Sequence, residues 1–136
     1  MDLIIRKARL MTGNITDIGI ENGFIVKLEP DLELSATKEI NAEENLVLPA
    51  FVNGQLHACK VFWRRKLEHL APEIKNLPRF EAAKYVKATY TVDDVFERVS
   101  EVMRLAILSG TCAIRLFADV DQASGLTALK GLLKIK

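Results

Sequence analysis

The stretch Leu46–Lys60 (Leu-Val-Leu-Pro-Ala-Phe-Val-Asn-Gly-Gln-Leu-His-Ala-Cys-Lys) constrains the fold of this chain more than any other. It opens as an apolar run, Leu46–Leu48 and then Ala50–Val52, and closes on polar groups: Asn53, Gln55, His57, Cys59 and Lys60. A short continuous apolar run predicts a strand buried on both faces, as in a parallel sheet. Pro49 cannot donate a ladder hydrogen bond and marks a corner between two sheets. Polar residues gathered at the far end of such a strand lie where parallel α/β proteins keep their chemistry.

The residues before this stretch read as a small β-domain, 1–48. Leu3-Ile4-Ile5, Ala8 and Leu10 alternate with Arg6, Lys7 and Arg9, a strand pattern. Ile15, Ile18 and Ile20 mark a second strand and Phe24–Leu28 a third. Asn22-Gly23 between them predicts a type I′ hairpin, because both residues accept positive φ. Residues 38–42 and 46–48 are expected as two further short strands.

The residues after it read as αβ. Pro72 and Pro78 interrupt 61–90, which predicts a long loop with short helical pieces, helical in part from Phe80 to Tyr90. Thr91 is an N-cap with Asp94 three residues on. Val92, Val95, Phe96, Val99, Val102, Met103, Ala106 and Ile107 then recur at helical spacing, and Gly110 suits the helix end. Residues 112–118 predict a second buried strand, and 122–136 a second amphipathic helix. The fold class is therefore α/β: a β-domain followed, over 49–136, by about two βα units.

Net charge is +1, from 19 basic and 18 acidic residues, which gives no electrostatic footprint for nucleic acid or a membrane surface. No apolar run reaches the ~18 residues of a membrane span, and the N-terminus lacks the basic-then-apolar order of a secretory signal. Two cysteines, Cys59 and Cys112, make no disulfide framework, so the expected setting is a reducing cytoplasm.

The phrase Pro49–Lys60 resembles the first barrel strand of the amidohydrolase superfamily, in its cytosine deaminase-like branch, which includes N-isopropylammelide amidohydrolases. That branch typically reads Pro-Gly-Phe-Val, two residues, then His-x-His-Leu-Asp-Lys, with both histidines as metal ligands. Here the first histidine falls on Gln55, the second on His57, and the lysine on Lys60. The branch's second barrel strand reads Gly-Thr, then Arg-Thr-His-Val-Asp-Val-Asp; here Arg115, Asp119 and Asp121 match, while Leu116-Phe117 replace Thr-His. The β-domain carries similar phrases, Asp2–Leu10 and Asp17–Val26, and the resemblance implies half of a β-sandwich there.

The resemblance implies metal-dependent hydrolysis of a non-peptide C–N bond, with zinc or iron lowering the pKa of a bound water. Residues 55 and 57 have the strand spacing for two ligands on one side, yet a glutamine amide is a far weaker ligand than imidazole. A complete (β/α)₈ barrel also needs roughly 200–250 residues. This chain alone is therefore expected to bind no metal and to be inactive. Two readings follow: the N-terminal segment of a hydrolase completed by another chain, or a degenerate, non-catalytic relative that persists as a homo-oligomer or partner-binding protein. Either predicts association, because two βα units leave strand edges and apolar helix faces uncovered.

Each candidate residue also has a plainer reading. His57, the one metal-ligand candidate, reads more readily as a hydrogen-bonded structural histidine, and Gln55, otherwise a pocket candidate, as a group satisfying buried backbone. Lys60, Arg115 and Asp119 are pocket candidates, with Lys60 otherwise a surface lysine and Asp119 and Asp121 otherwise caps of the following helix. Cys59 is either a small buried hydrophobe or a nucleophile with His57 as base. His69 lies in a charged loop and reads as solvated. The Phe62–Lys66 cluster reads as an interface anchor or as a Trp63 packed over the barrel mouth.

Overall fold

The computed structural model describes residues 1–135. They form two compact units, residues 1–49 and residues 50–135. Among the described residues no helix is long and apolar enough to cross a membrane.

The first unit is one four-stranded sheet built from β1 (Leu3–Arg9), β2 (Ile15–Glu21), β3 (Phe24–Glu29) and β4 (Lys38–Asn41), in the order β3-β2-β1-β4. The expected hairpin is present: β2 and β3 are antiparallel, joined by Asn22 at φ 50° and Gly23 at φ 79°. Strand β4 returns parallel to β1. Ile4, Ala8, Ile18 and Leu32 are buried. Asp17 organises the polar side of this core. Its Oδ1 accepts from the Lys7 N–H at 2.9 Å, and its Oδ2 accepts from the Leu32 N–H at 3.1 Å and from Arg6 Nη1 at 2.9 Å. The Lys7 contact sits at a bulge in β1, between Ile5 and Ala8, where Lys7 takes φ 50°. A buried carboxylate thus holds the extra residue of the bulge in place.

Two expectations fail in this unit. The strand predicted at 46–48 is reduced to one bridge, Leu46 to Arg9. Leu46 and Leu48 are also 55% and 41% exposed rather than buried. Backbone pairing supports Arg9 from Asn45 and Val47, but among the described residues no second layer covers these side chains. The same holds for β3, every residue of which is exposed.

The second unit pairs β5 (Phe51–Leu56) with β6 (Thr111–Leu116) in a parallel two-stranded sheet. Between them come a 3-10 turn at Ala58–Lys60 and four helices: α1 (Trp63–Leu67), α2 (Pro72–Lys75), α3 (Arg79–Ala88) and α4 (Val92–Leu108). Helix α5 (Thr127–Leu133) follows β6. As expected, Thr91 caps α4, its Oγ1 accepting from the Asp94 N–H at 3.1 Å, and Gly110 ends the helix region at φ 83°.

Val86, Tyr90, Val95, Val99, Ala128 and Leu132 close around Ala58 and Cys59 to form the core. Gly131 lets α5 approach α4, since a Cβ there would lie 2.6 Å from the Cβ of Val95. The stripe on α4 is buried only toward its N-terminal half; Ile107 and Leu108 are 65% and 71% exposed.

Strand β5 is not the doubly buried strand its composition predicts: Phe51 and Val52 are exposed. Among the described residues it has a single neighbouring strand, one paired edge and no layer over these side chains. The second helix is also shorter than 122–136, because the Asp121 carboxylate accepts from the Ala123 and Ser124 N–H groups and from the Ser124 hydroxyl. That turn delays helix entry until Thr127. Asp121 therefore caps a turn rather than the helix, whose N-cap is Leu126, and Asp119 caps nothing.

Candidate functional site

His57 and Lys60, which follow β5, and Lys87 on α3 converge on Asp119, which follows β6. Its Oδ2 lies 3.1 Å from Lys60 Nζ and 2.7 Å from Lys87 Nζ. Its Oδ1 lies 3.4 Å from His57 Nδ1, near but not aligned as a hydrogen bond, so that Nδ1 is a buried polar atom without a hydrogen-bond partner. Lys87 also reaches Asp121 Oδ2 at 2.5 Å. The His57 ring packs against Phe117, centroids 5.5 Å apart.

The electrostatics of this cluster follow from its ion pairs. Burial acts to raise the Asp119 carboxyl, but Lys87 and Lys60 outweigh it and hold the group below the usual carboxylate range. Lys87 and the Ser124 amide hold Asp121 down at about 2. Burial acts to lower Lys87, and its two carboxylate partners overcome that and push it up to about 12. Asp119 is thus a fixed anion whose lone pairs are already directed at ammonium groups.

Arg98 fixes the turn that carries this cluster. It is a buried guanidinium on the otherwise apolar face of α4. Its Nη1 donates to the carbonyls of Cys59 at 2.8 Å and Val61 at 2.7 Å. Its Nε and Nη2 form a two-pronged pair with Asp94, at 3.1 and 3.0 Å. The guanidinium also lies over the Tyr90 ring, 4.6 Å from its centroid. Lys60 lies between the two clamped carbonyls, so Arg98 sets where Lys60 sits.

Of the residues singled out in the sequence, the structure brings His57, Lys60 and Asp119 together. Gln55 and Arg115 are exposed and make no side-chain hydrogen bond or ion pair among the described residues. Cys59 is buried, burial pushes its thiol up, and its Sγ faces the Phe117 carbonyl at 3.8 Å. No hydrogen bond joins it to His57, so the nucleophile reading has no base. His69 is exposed. In the Phe62–Lys66 cluster, Arg65 stacks on Phe62 and pairs with Glu101 at 2.7 Å, while Lys66 pairs with Asp94 at 3.0 Å.

Sequence reading missed Lys87 and Arg98. The signal for Arg98 is a lone charge three residues after Val95 and one before Val99, inside the apolar stripe. The signal for Lys87 is its spacing from Phe80 and Ala83 on one face of α3.

No family model matches the chain. Relatives do. N-isopropylammelide isopropyl amidohydrolase of Pseudomonas sp. (strain ADP) is 32% identical over 146 residues, covering 99% of this chain and 34% of that protein. The crystal structure of N-isopropylammelide isopropylaminohydrolase from Burkholderia multivorans ATCC 17616 matches with a TM-score of 0.77 and 26% identity, covering 98% of this chain and 34% of that one. The chain belongs to the amidohydrolase superfamily. It spans about a third of the length of these relatives, their N-terminal part. The fold is also that of 5-methylcytosine deaminase from Klebsiella pneumoniae, with a TM-score of 0.75 at 24% identity over 98% of this chain and 32% of that one.

The amidohydrolase family implies a metal cofactor, and the residues described here do not fit one. Among the described residues there is no group of three or more His, Cys, Asp or Glu side chains that could hold a metal ion. The carboxylate nearest His57 is already shared by two ammonium groups, and a divalent cation brought beside it would face their charge. Gln55 supplies only a neutral amide where the family has imidazole.

Proposed function

We propose that this chain is the N-terminal portion of a cytosine deaminase-like amidohydrolase acting on a non-peptide C–N bond, and that it is inactive alone. Further βα units, on a complementing chain or a continuation, would bring the hydrolytic groups. The observation that carries this reading is the commitment of Asp119 to Lys60 and Lys87 beside an unsupported His57. The match to N-isopropylammelide amidohydrolases over nearly the whole chain supports the reaction class. Free thiols at Cys59 and Cys112 suit a cytoplasmic setting.

The test is amine release from N-isopropylammelide by the chain alone and by the chain mixed with a protein carrying the remaining βα units. The expected result is no turnover alone and turnover in the mixture. Turnover by the chain alone overturns the inactivity.

A second reading has its own observation. Phe51, Val52, Leu105, Ile107 and Leu108 are all exposed, an apolar surface that a soluble chain covers by association. A non-catalytic relative would cover it with a second copy. Failure of the mixture to turn over, together with a stable dimer by light scattering, favours that reading.

A further inference from the structure

Beside the Asp119 cluster lies a cavity of about 290 Å³ lined by Lys60, Arg79 and Lys87, by the rings of Trp63, Phe80 and Tyr90, and by Ala83. We infer that this cavity binds a small planar ring bearing a carboxylate. The inference concerns binding by this chain as it stands and is independent of any hydrolysis.

Charge selects an anion. The lining holds three cations and no carboxylate. Asp119 and Asp121 behind it offset Lys60 and Lys87, while Arg79 forms no ion pair among the described residues. The three cations and two carboxylates sum to +1. A guanidinium without a partner presents a planar fork that matches a carboxylate two-pronged.

Shape and surface select a ring. Phe80 is 85% exposed although it lines a concavity, so an aromatic face there lies open for a flat ligand to cover. Trp63 and Tyr90 supply further aromatic walls. The volume is near the lower end of the roughly 300–1,000 Å³ of drug-sized sites, so a single ring is enough to fill it. Cations alone would favour any small anion, and rings alone any flat neutral molecule; the combination favours a molecule that is both.

Trp63 is the only tryptophan in the chain, so its indole N–H gives a single nuclear magnetic resonance signal inside the cavity. The experiment titrates the full chain with orotate, with uracil (the same ring without the carboxylate) and with inorganic phosphate. The expected result is a saturable shift of the Trp63 signal with orotate and binding about tenfold weaker or worse for uracil and phosphate. Arg79→Gln is expected to weaken orotate about tenfold and leave uracil unchanged, whereas Phe80→Ala weakens both ring compounds. Both positions are exposed, and circular dichroism checks that the variants fold. Orotate binding no tighter than uracil, equal binding of phosphate, or an Arg79→Gln variant that binds orotate normally overturns the inference.

Discussion

The Lys87 ammonium lies 2.7 Å from Asp119 Oδ2, and Lys60 reaches the same oxygen at 3.1 Å. One carboxylate at the end of β6 is therefore neutralised from α3 and from the turn after β5. This arrangement lies beside His57, the one metal-ligand candidate, and it changes what the site can do. Asp119 serves as the anchor of a basic cluster.

Removing Lys87 tests that anchor. Lys87→Met leaves Asp119 with Lys60 alone and Asp121 with only its turn contacts. Charged hydrogen bonds are worth roughly 1.5–3 kcal/mol, and a loss toward the lower end is expected because Asp121 is partly solvated. A urea titration reads it as a lower midpoint at an unchanged slope.

The same cluster sets the pH response. Asp121 is held at about 2 and Asp119 also lies below its ordinary value. Their folded pKa values are depressed, so their contribution is present above about pH 4 and is lost as pH falls toward about 2. Lys87 is raised to about 12 from 10.5, so its contribution is complete below about pH 10.5 and is lost as pH rises through about 12. Urea midpoints across both windows should fall toward each extreme, and the falls should flatten in Lys87→Met. Equal slopes in wild type and variant would remove the cluster as their source.

Arg98→Ala should be the most damaging single change in the second unit. It strips two carbonyls of a donor and leaves Asp94 with Lys66 only. Removing one partner of a buried pair costs roughly 3–5 kcal/mol. Arg98→Lys should recover little, since one ammonium cannot serve two carbonyls and a two-pronged carboxylate together. Near-normal thermal unfolding of either variant would contradict this assignment.

Gly131→Ala should destabilise the α4–α5 contact. The new Cβ would meet the Cβ and Cγ1 of Val95, both at 2.6 Å, and overpacking of this kind costs roughly 1–3 kcal/mol. Adding Val95→Ala should restore only part of the loss, because the Val95 Cβ remains. Full rescue in the double variant, by urea titration, would show that only the γ-carbons collide.

Particular residues show how much of this was legible. Asn22-Gly23 and Thr91 gave their hairpin and cap directly, because the responsible physics is local to a few residues. The apolar run at Leu46–Val52 misled, because its composition suits a strand inside a larger sheet while these residues have a single neighbouring strand or bridge. At the site, His57, Lys60 and Asp119 were legible through position on the strand ends. Lys87 was not, because a lysine on a helix reveals its carboxylate partners only once α3 is folded beside β6. Arg98 shows in the sequence as a lone charge in the apolar stripe four residues after Asp94, but its carbonyl acceptors at Cys59 and Val61 carry no sequence signature.

The central claim is that the carboxylate beside His57 is committed to two ammonium groups and that this chain alone holds no metal centre. Elemental analysis of the purified chain for zinc, iron and manganese, beside a His57→Ala control, tests it most directly. The account predicts far less than one metal per chain and no difference between the two proteins. Near-stoichiometric metal that disappears in His57→Ala would contradict it and make His57 a ligand.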